Sequence, residues 1–206
     1  MARLEFFFDC SSPWTYLAFH RIEAVAAARR ASLLWKPILV GGLFNTVNPS
    51  VYHSREHPVP AKQRYQAKDL ADWARHCGLA ITWVPGVFPV NSVKAMRGCV
   101  ALAGDARLPA YARAVFELYW GEDRDISQDA VLAEAAARAG LDAAWLRSAA
   151  GAPAAKDGLR ANTEELAARG GFGSPTMFVD GADMYFGNDR LPLVEAALAR
   201  SSTATR

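Results

Sequence analysis

The sequence predicts a mixed α/β fold in which a βαβ unit and a ββα unit build one small sheet around a large all-helical insertion. Three observations lead there. The chain opens with two apolar runs separated by one helical stretch. Its middle, from about Ala61 to Gly170, is rich in Ala, Arg and Leu at helical period and punctuated by Gly and Pro. Its end offers two short apolar runs around a tight turn, then one more helix.

Leu4 to Phe8 reads as a short buried strand, with Phe6-Phe7-Phe8 bracketed by Glu5 and Asp9. That leaves too short an uncharged core for an export signal. Ser12 is then an N-cap and Pro13 the first helical residue, opening a helix from Trp14 to about Arg30. Leu17, Ile22, Val25 and Ala26 mark its inner side. Leu33 to Val40 is the second strand, and Gly41-Gly42 breaks it. Helices follow at Lys62–Cys77, Ser92–Leu102, Pro109–Trp120, Ser127–Ala139, Asp142–Ala150 and Pro153–Arg169. Thr176 to Val179 is a strand, Asp180-Gly181 a turn, and Asp183 to Phe186 a second, shorter strand. Gly187-Asn188-Asp189 caps a last helix running from about Arg190 to Arg200, and Ser201–Arg206 reads as a disordered polar tail. The expected division is residues 1–45 and 171–206 for the sheet-bearing domain and 46–170 for the helical insertion. This is a thioredoxin-like arrangement.

Composition sets the outer limits. With 206 residues, 51% of them hydrophobic and 21% charged, the chain holds one core of useful size and needs no staple. A net charge of +2 with no basic run gives nucleic-acid binding no electrostatic support. No uncharged apolar stretch reaches the ~20 residues of a membrane helix. Three cysteines, Cys10, Cys77 and Cys99, with no CxxC spacing, argue against a disulfide framework and for a reducing cytoplasm.

In this architecture chemistry sits where the first strand meets the first helix, because helix N-terminal amides and the dipole stabilise a thiolate there. The four residues at that turn are Ser12-Pro13-Trp14-Thr15. Both positions of a redox pair are hydroxyl residues, so a dithiol oxidoreductase is disfavoured and any thiol must come from a ligand. Read alone, Ser12 is also an ordinary N-cap, and Cys10 a packed apolar thiol. Gly173-Ser174-Pro175-Thr176 opens the late strand, and the Gly-rich run before it favours a cis Pro175. The backbone of Ser174 could then pair with a peptide ligand. His53 and His57 have helical ligand spacing, but loop composition and Pro58 argue against a helix, and no third ligand is evident, so no metal site is expected. Trp14, Phe44, Trp83, Phe88 and Trp120 could line an aromatic pocket or simply fill the core.

Phe8-Asp9-Cys10-Ser11-Ser12-Pro13-Trp14-Thr15-Tyr16-Leu17-Ala18 resembles the 2-hydroxychromene-2-carboxylate isomerases and the related kappa-class glutathione transferases. So do Val40–Asn45, Pro60-Ala61-Lys62, Phe88-Pro89-Val90-Asn91, Gly173–Thr176 and Phe186–Leu191, in order along essentially the whole chain. The resemblance implies a thioredoxin-like fold with a helical insertion, bound glutathione and a homodimer. It implies a glutathione-dependent cis–trans isomerase of aromatic catabolism. The thiolate adds reversibly to a conjugated acid, the former double bond rotates, and elimination releases the trans isomer.

Carried over residue by residue, Ser12 donates to the glutathione sulfur. Ser174 and Pro175 present the backbone that pairs with the cysteinyl unit, although an apolar residue is more usual at Ser174. Gly187, Asn188 and Asp189 hold the γ-glutamyl carboxylate and ammonium. Lys62 reaches the glycyl end, with Asn48 as a partner in a loop whose length differs here. Asn91 belongs to the substrate side. For Lys62 and Asp189 the bland alternatives are a solvated lysine and a helix-start acid. The runner-up activity is a kappa-like transferase or peroxidase, and the reading from another class is a non-catalytic glutathione- or protein-binding scaffold.

Overall fold

A computed structural model describes residues 1–204. Among them lie four strands and ten α-helices. Strand β1 (Arg3–Phe8) leads through helix α1 (Pro13–Ala28) to β2 (Ser32–Pro37). Helices α2 (Val40–Thr46), α3 (Ser50–Glu56), α4 (Pro60–Cys77), α5 (Val93–Ala101), α6 (Leu108–Phe116), α7 (Asp129–Arg138), α8 (Ala143–Gly151) and α9 (Pro153–Ala168) follow. The chain returns through β3 (Thr176–Val179), β4 (Asp183–Phe186), a 3₁₀ turn at Asn188–Arg190 and α10 (Leu191–Ala204).

The sheet order is β2-β1-β3-β4, with β1 parallel to β2 and antiparallel to β3, and β3 antiparallel to β4. The expected βαβ…ββα order with a helical insertion is therefore what the chain adopts. As the central strand, β1 is buried on both faces. Leu4, Phe6 and Phe8 point into the larger core, where Phe6 and Phe8 meet Phe19 and Trp35 at centroid distances of 5.5–6.2 Å. Phe7 points the other way, to Ile38, Leu43, Leu166 and Phe178. Glu5 shares that second face at 4% exposure. It persists there because Arg169 meets its carboxylate at 2.5 Å and Arg3 at 3.3 Å. A buried charge demands such pairing.

Four expectations about elements need correction. Gly41-Gly42 does not merely break β2. Both lie inside α2, whose Val40 N–H is held by Asp9 at 2.8 Å, while Gly42 packs so closely on Thr163 that a Cβ there would stand 3.1 Å from its methyl. His53 is helical, in α3, and His57 is its C-cap. The single helix expected over Pro109–Trp120 is α6 followed by a π-helical turn at Glu117–Gly121. That turn drives Leu118, Tyr119 and Trp120 together into the core. The tail expected from Ser201 is helical as far as Ala204, and its last two positions lie outside the described residues. No described helix is long and apolar enough to cross a membrane.

One partly buried group carries a pH dependence. Arg113 donates to His20 Nδ1 at 2.8 Å, so the imidazole proton sits on Nε2, which is buried without a partner among the described residues. Burial first, then the Arg113 charge, lowers the His20 pKa to about 4. The unfolded histidine takes up its proton near 6.5, the folded one only near 4, so this group leaves stability untouched above pH 6.5 and erodes it as pH falls toward 4. With solvent screening of a partly exposed ring allowed for, the expected loss between pH 7 and pH 5 is about 1 kcal/mol. Urea midpoints over that range should fall less in His20→Phe than in the wild type, and parallel slopes would refute the assignment.

Candidate functional site

Helix α1 begins at Ser12, whose extended backbone and side chain cap it in the usual way: Oγ accepts from Thr15 N–H at 3.2 Å, and Pro13 follows. No acidic residue occupies the first turn, so the positive end of the helix dipole stands uncompensated on α1 itself. The Ser12 hydroxyl does more than cap. It donates to the Ser174 carbonyl at 3.0 Å, across a sequence separation of 162 residues. The Ser174–Pro175 bond is cis, as expected.

Ser174 Oγ accepts from Asp9 N–H at 3.0 Å and shares a 2.7 Å hydrogen bond with Thr15 Oγ1. Thr15 is fully buried and Ser174 is 6% exposed. This explains a hydroxyl where an apolar residue is more usual: it joins the ends of β1, α1 and the Pro175 loop. Sequence reasoning missed Thr15 as a partner, because only the fold brings it beside Ser174.

Asp9 was also missed. It is fully buried, and its two oxygens accept from Ser11 N–H at 2.9 Å and Val40 N–H at 2.8 Å, with the Ser92 side chain adding a third bond. Burial pushes its carboxyl above the ordinary value, against the pull of those bonds. Its only sequence signal is a charge at the end of an apolar strand. Cys10 has the opposite outcome. Its side chain is buried, its thiol pKa is pushed well up by burial and by Cys99, and it presents no nucleophile.

The C-terminal group lies against the cis proline. Gly187 N–H donates to the Pro175 carbonyl at 3.1 Å, and its φ of +104° favours glycine. At Gly173 a Cβ would come within 2.6 Å of the Phe186 ring. Asn188 is 4% exposed, yet its Nδ2 has no hydrogen-bond partner among the described residues. A buried amide donor left alone costs about 1–3 kcal/mol, so it fits a ligand that supplies an acceptor. Asp189 already meets Arg190 at 2.5 Å, so an incoming ammonium would share its carboxylate.

Asn48 Nδ2 donates to the Phe172 carbonyl at 3.2 Å, and its Oδ1 accepts from Ser50 Oγ at 2.7 Å. That places it beside the glycine run leading to Ser174. Lys62 is exposed in the first turn of α4. Asn91 Oδ1 accepts from Val93 N–H at 3.0 Å and so shapes the start of α5. Neither Lys62 nor Asn91 is hydrogen-bonded to the Ser12 group among the described residues.

An aromatic wall adjoins the turn. Trp120 Nε1 donates to the Cys10 carbonyl at 2.9 Å, and Trp83, Phe88 and Trp120 lie with centroids 5.3–6.4 Å apart. Trp120 is fully buried, but Phe88 is 37% exposed. Trp14 packs instead against the Leu17, Leu70 and Ala74 cluster. Arg55, from α3, lies over Phe44 at 5.6 Å and Phe88 at 5.9 Å and makes no salt bridge among the described residues. Sequence reasoning passed over Arg55 because α3 read as loop. The rings of His53 and His57 are 4.7 Å apart, and the described residues hold no group of three or more His, Cys, Asp or Glu able to hold a metal.

Comparison with known proteins places this geometry in context. The family profile of the DSBA-like thioredoxin domain matches residues 3–199. A 2-hydroxychromene-2-carboxylate isomerase of Pseudomonas putida is 29% identical over 202 residues, covering 96% of this chain and 94% of the relative. A glutathione S-transferase kappa 2 of Caenorhabditis elegans is 27% identical over 209 residues, covering 95% and 91%. Among solved structures, a 2-hydroxychromene-2-carboxylate isomerase superimposes with a TM-score of 0.81 at 27% identity, covering 98% of this chain and 97% of the other. The resemblance read from the motifs is borne out.

Proposed function

Because the chain belongs to the DSBA-like thioredoxin domain family and carries hydroxyls at both redox positions of that fold, we propose that it is a glutathione-dependent cis–trans isomerase. Its substrates are aromatic conjugated acids of the 2-hydroxychromene-2-carboxylate and o-hydroxybenzylidenepyruvate kind. The observation that carries the reading is the 3.0 Å bond from the Ser12 hydroxyl to the carbonyl preceding the cis proline. Bound glutathione would supply the thiolate that adds reversibly to the conjugated acid.

The chain's own residues do the rest. The Ser174 carbonyl accepts a hydrogen bond from the Ser12 hydroxyl, and a peptide N–H arriving at that carbonyl takes its place. Ser12 then turns its hydroxyl to the sulfur, where one charge-assisted bond joins the α1 dipole in favouring the anion. Asn188 Nδ2 meets the γ-glutamyl carboxylate and Asp189 its ammonium. Lys62 and Asn48 serve the glycyl end, and Asn91 the substrate side.

The aromatic wall favours isomerisation over general conjugation of electrophiles. Phe44 and Phe88 offer ring faces, and Arg55 between them, in no salt bridge among the described residues, offers its guanidinium to a carboxylate. Purified protein mixed with trans-o-hydroxybenzylidenepyruvate should isomerise it only when glutathione is present. Arg55→Ala should raise KM about tenfold with kcat little changed, the loss of one carboxylate contact. Conjugation of 1-chloro-2,4-dinitrobenzene without isomerisation would make the protein a transferase. The absence of both turnover and any glutathione-induced rise in melting temperature would overturn the whole reading.

A further inference from the structure

The helical insertion forms a second cavity, of about 510 Å³ and open to solvent on one side, among α5, α7, α8 and α9. Its walls are apolar and small: Leu132, Ala133, Ala144 and Leu146, with Tyr111 of α6 behind them. Alanines on facing helices leave the space unfilled. Cavities of this size hold small organic ligands.

Its charges are mostly cationic. Lys94 and Arg97 of α5, Arg147 of α8 and Lys156 of α9 line the cavity against a single carboxylate, Asp129. Lys94 holds that carboxylate at 2.6 Å. Arg97, Arg147 and Lys156 make no salt bridge among the described residues, and Arg97 Nε is buried with no hydrogen-bond partner. A buried guanidinium N–H is ordinarily satisfied. Here it lacks an acceptor beside an apolar space, which defines the missing group.

We propose that this cavity binds an amphipathic carboxylate, its alkyl or aromatic body between the alanines and leucines and its carboxylate on Arg97. A planar anion suits a guanidinium fork, and Arg147 and Lys156 add attraction. The site is separate from the turn at Ser12. The opposite face of α5 carries Met96, whose sulfur accepts from Cys10 N–H, and the segment before it carries Ser92, which bonds Asp9. Binding in the cavity therefore does not depend on the glutathione reading.

Calorimetric titration of the intact protein with octanoate and with octanol tests it. Octanoate should bind once per chain, about tenfold or more tighter than octanol, and more weakly as salt rises. Arg97→Met should weaken octanoate about tenfold and leave octanol unchanged. Ala144→Trp, which fills the cavity, should abolish both while keeping the wild-type melting profile and response to glutathione. Equal affinity for octanoate and octanol, binding indifferent to both variants, or no binding at all would each sink the proposal. So would light scattering that shows a wild-type dimer split by Ala144→Trp, because a second copy would then be what covers the cavity.

Discussion

Replacing Ser12 by alanine lowers turnover near neutrality roughly ten- to a hundredfold and raises the pKa of the bound thiol by about one to two units. The lost bond is charge-assisted, worth about 1.5–3 kcal/mol, and each pKa unit corresponds to 1.36 kcal/mol. Turnover should recover in part at higher pH, where the thiol ionises unaided. The same change removes the cap on Thr15 N–H and the donor to the Ser174 carbonyl, so the variant also loses about 1–2 kcal/mol of stability. Ser12→Gly separates the two effects, because glycine is tolerated as an N-cap at a cost of only a few tenths of a kcal/mol yet offers the sulfur no hydroxyl. Thiolate absorbance titrated with glutathione bound is the deciding measurement. Superimposable curves for wild type and Ser12→Ala would reduce Ser12 to a helix cap.

Asp9→Ala should cost the fold about 3–5 kcal/mol, more than any change at the turn that leaves the backbone satisfied. Two backbone N–H groups, at Ser11 and Val40, lose their acceptor, and Ser92 loses its partner. Those groups fix the exit of β1 and the start of α2, so glutathione binding should weaken along with stability. The pH dependence distinguishes charge from shape. Burial raises the Asp9 pKa, so the folded state holds this proton more readily than the unfolded one. Asp9 therefore detracts from stability as pH rises through its folded pKa. Asp9→Asn carries no charge to desolvate, and its deficit relative to wild type should be smaller at pH 7 than at pH 4. Urea unfolding of the three proteins at both pH values measures this. A larger Asn deficit at pH 7 would show that the ionised carboxylate is net stabilising.

The order of elements was legible because each left a local trace. The apolar run of β1, the Ser12-Pro13 cap and the periodic helices from Pro60 to Ala168 need no knowledge of their neighbours. Helix α3 left none: none of its residues is buried, so it has no apolar stripe to reveal its period. Helix α2 begins with residues that suggest a break, and what stabilises it is an acceptor 31 residues earlier, at Asp9. Within the candidate site the same division holds. Ser12 announces itself as a cap, and Ser174-Pro175 as a turn. Thr15, Asp9 and Arg55 depend on partners far along the chain, and their roles are visible only once the sheet has formed. Cys10 drew notice for its position, but burial decided its chemistry.

The central strand has consequences for the life of the chain before it is complete. β1 pairs with β2 after fewer than thirty intervening residues, but its other edge pairs with β3, which begins at Thr176. At ribosomal rates of about 5–20 residues per second, β3 leaves the exit tunnel roughly 10–30 s after β1. Throughout that interval Phe6, Phe7 and Phe8 form an unpaired, strongly apolar edge. The nascent chain is thus most exposed to mispairing along β1, and the bond from Ser12 to Ser174 closes only after the later strand has emerged. A truncated product ending before Thr176 would carry the helix cap of the site, lack its carbonyl, and leave a sticky strand uncovered.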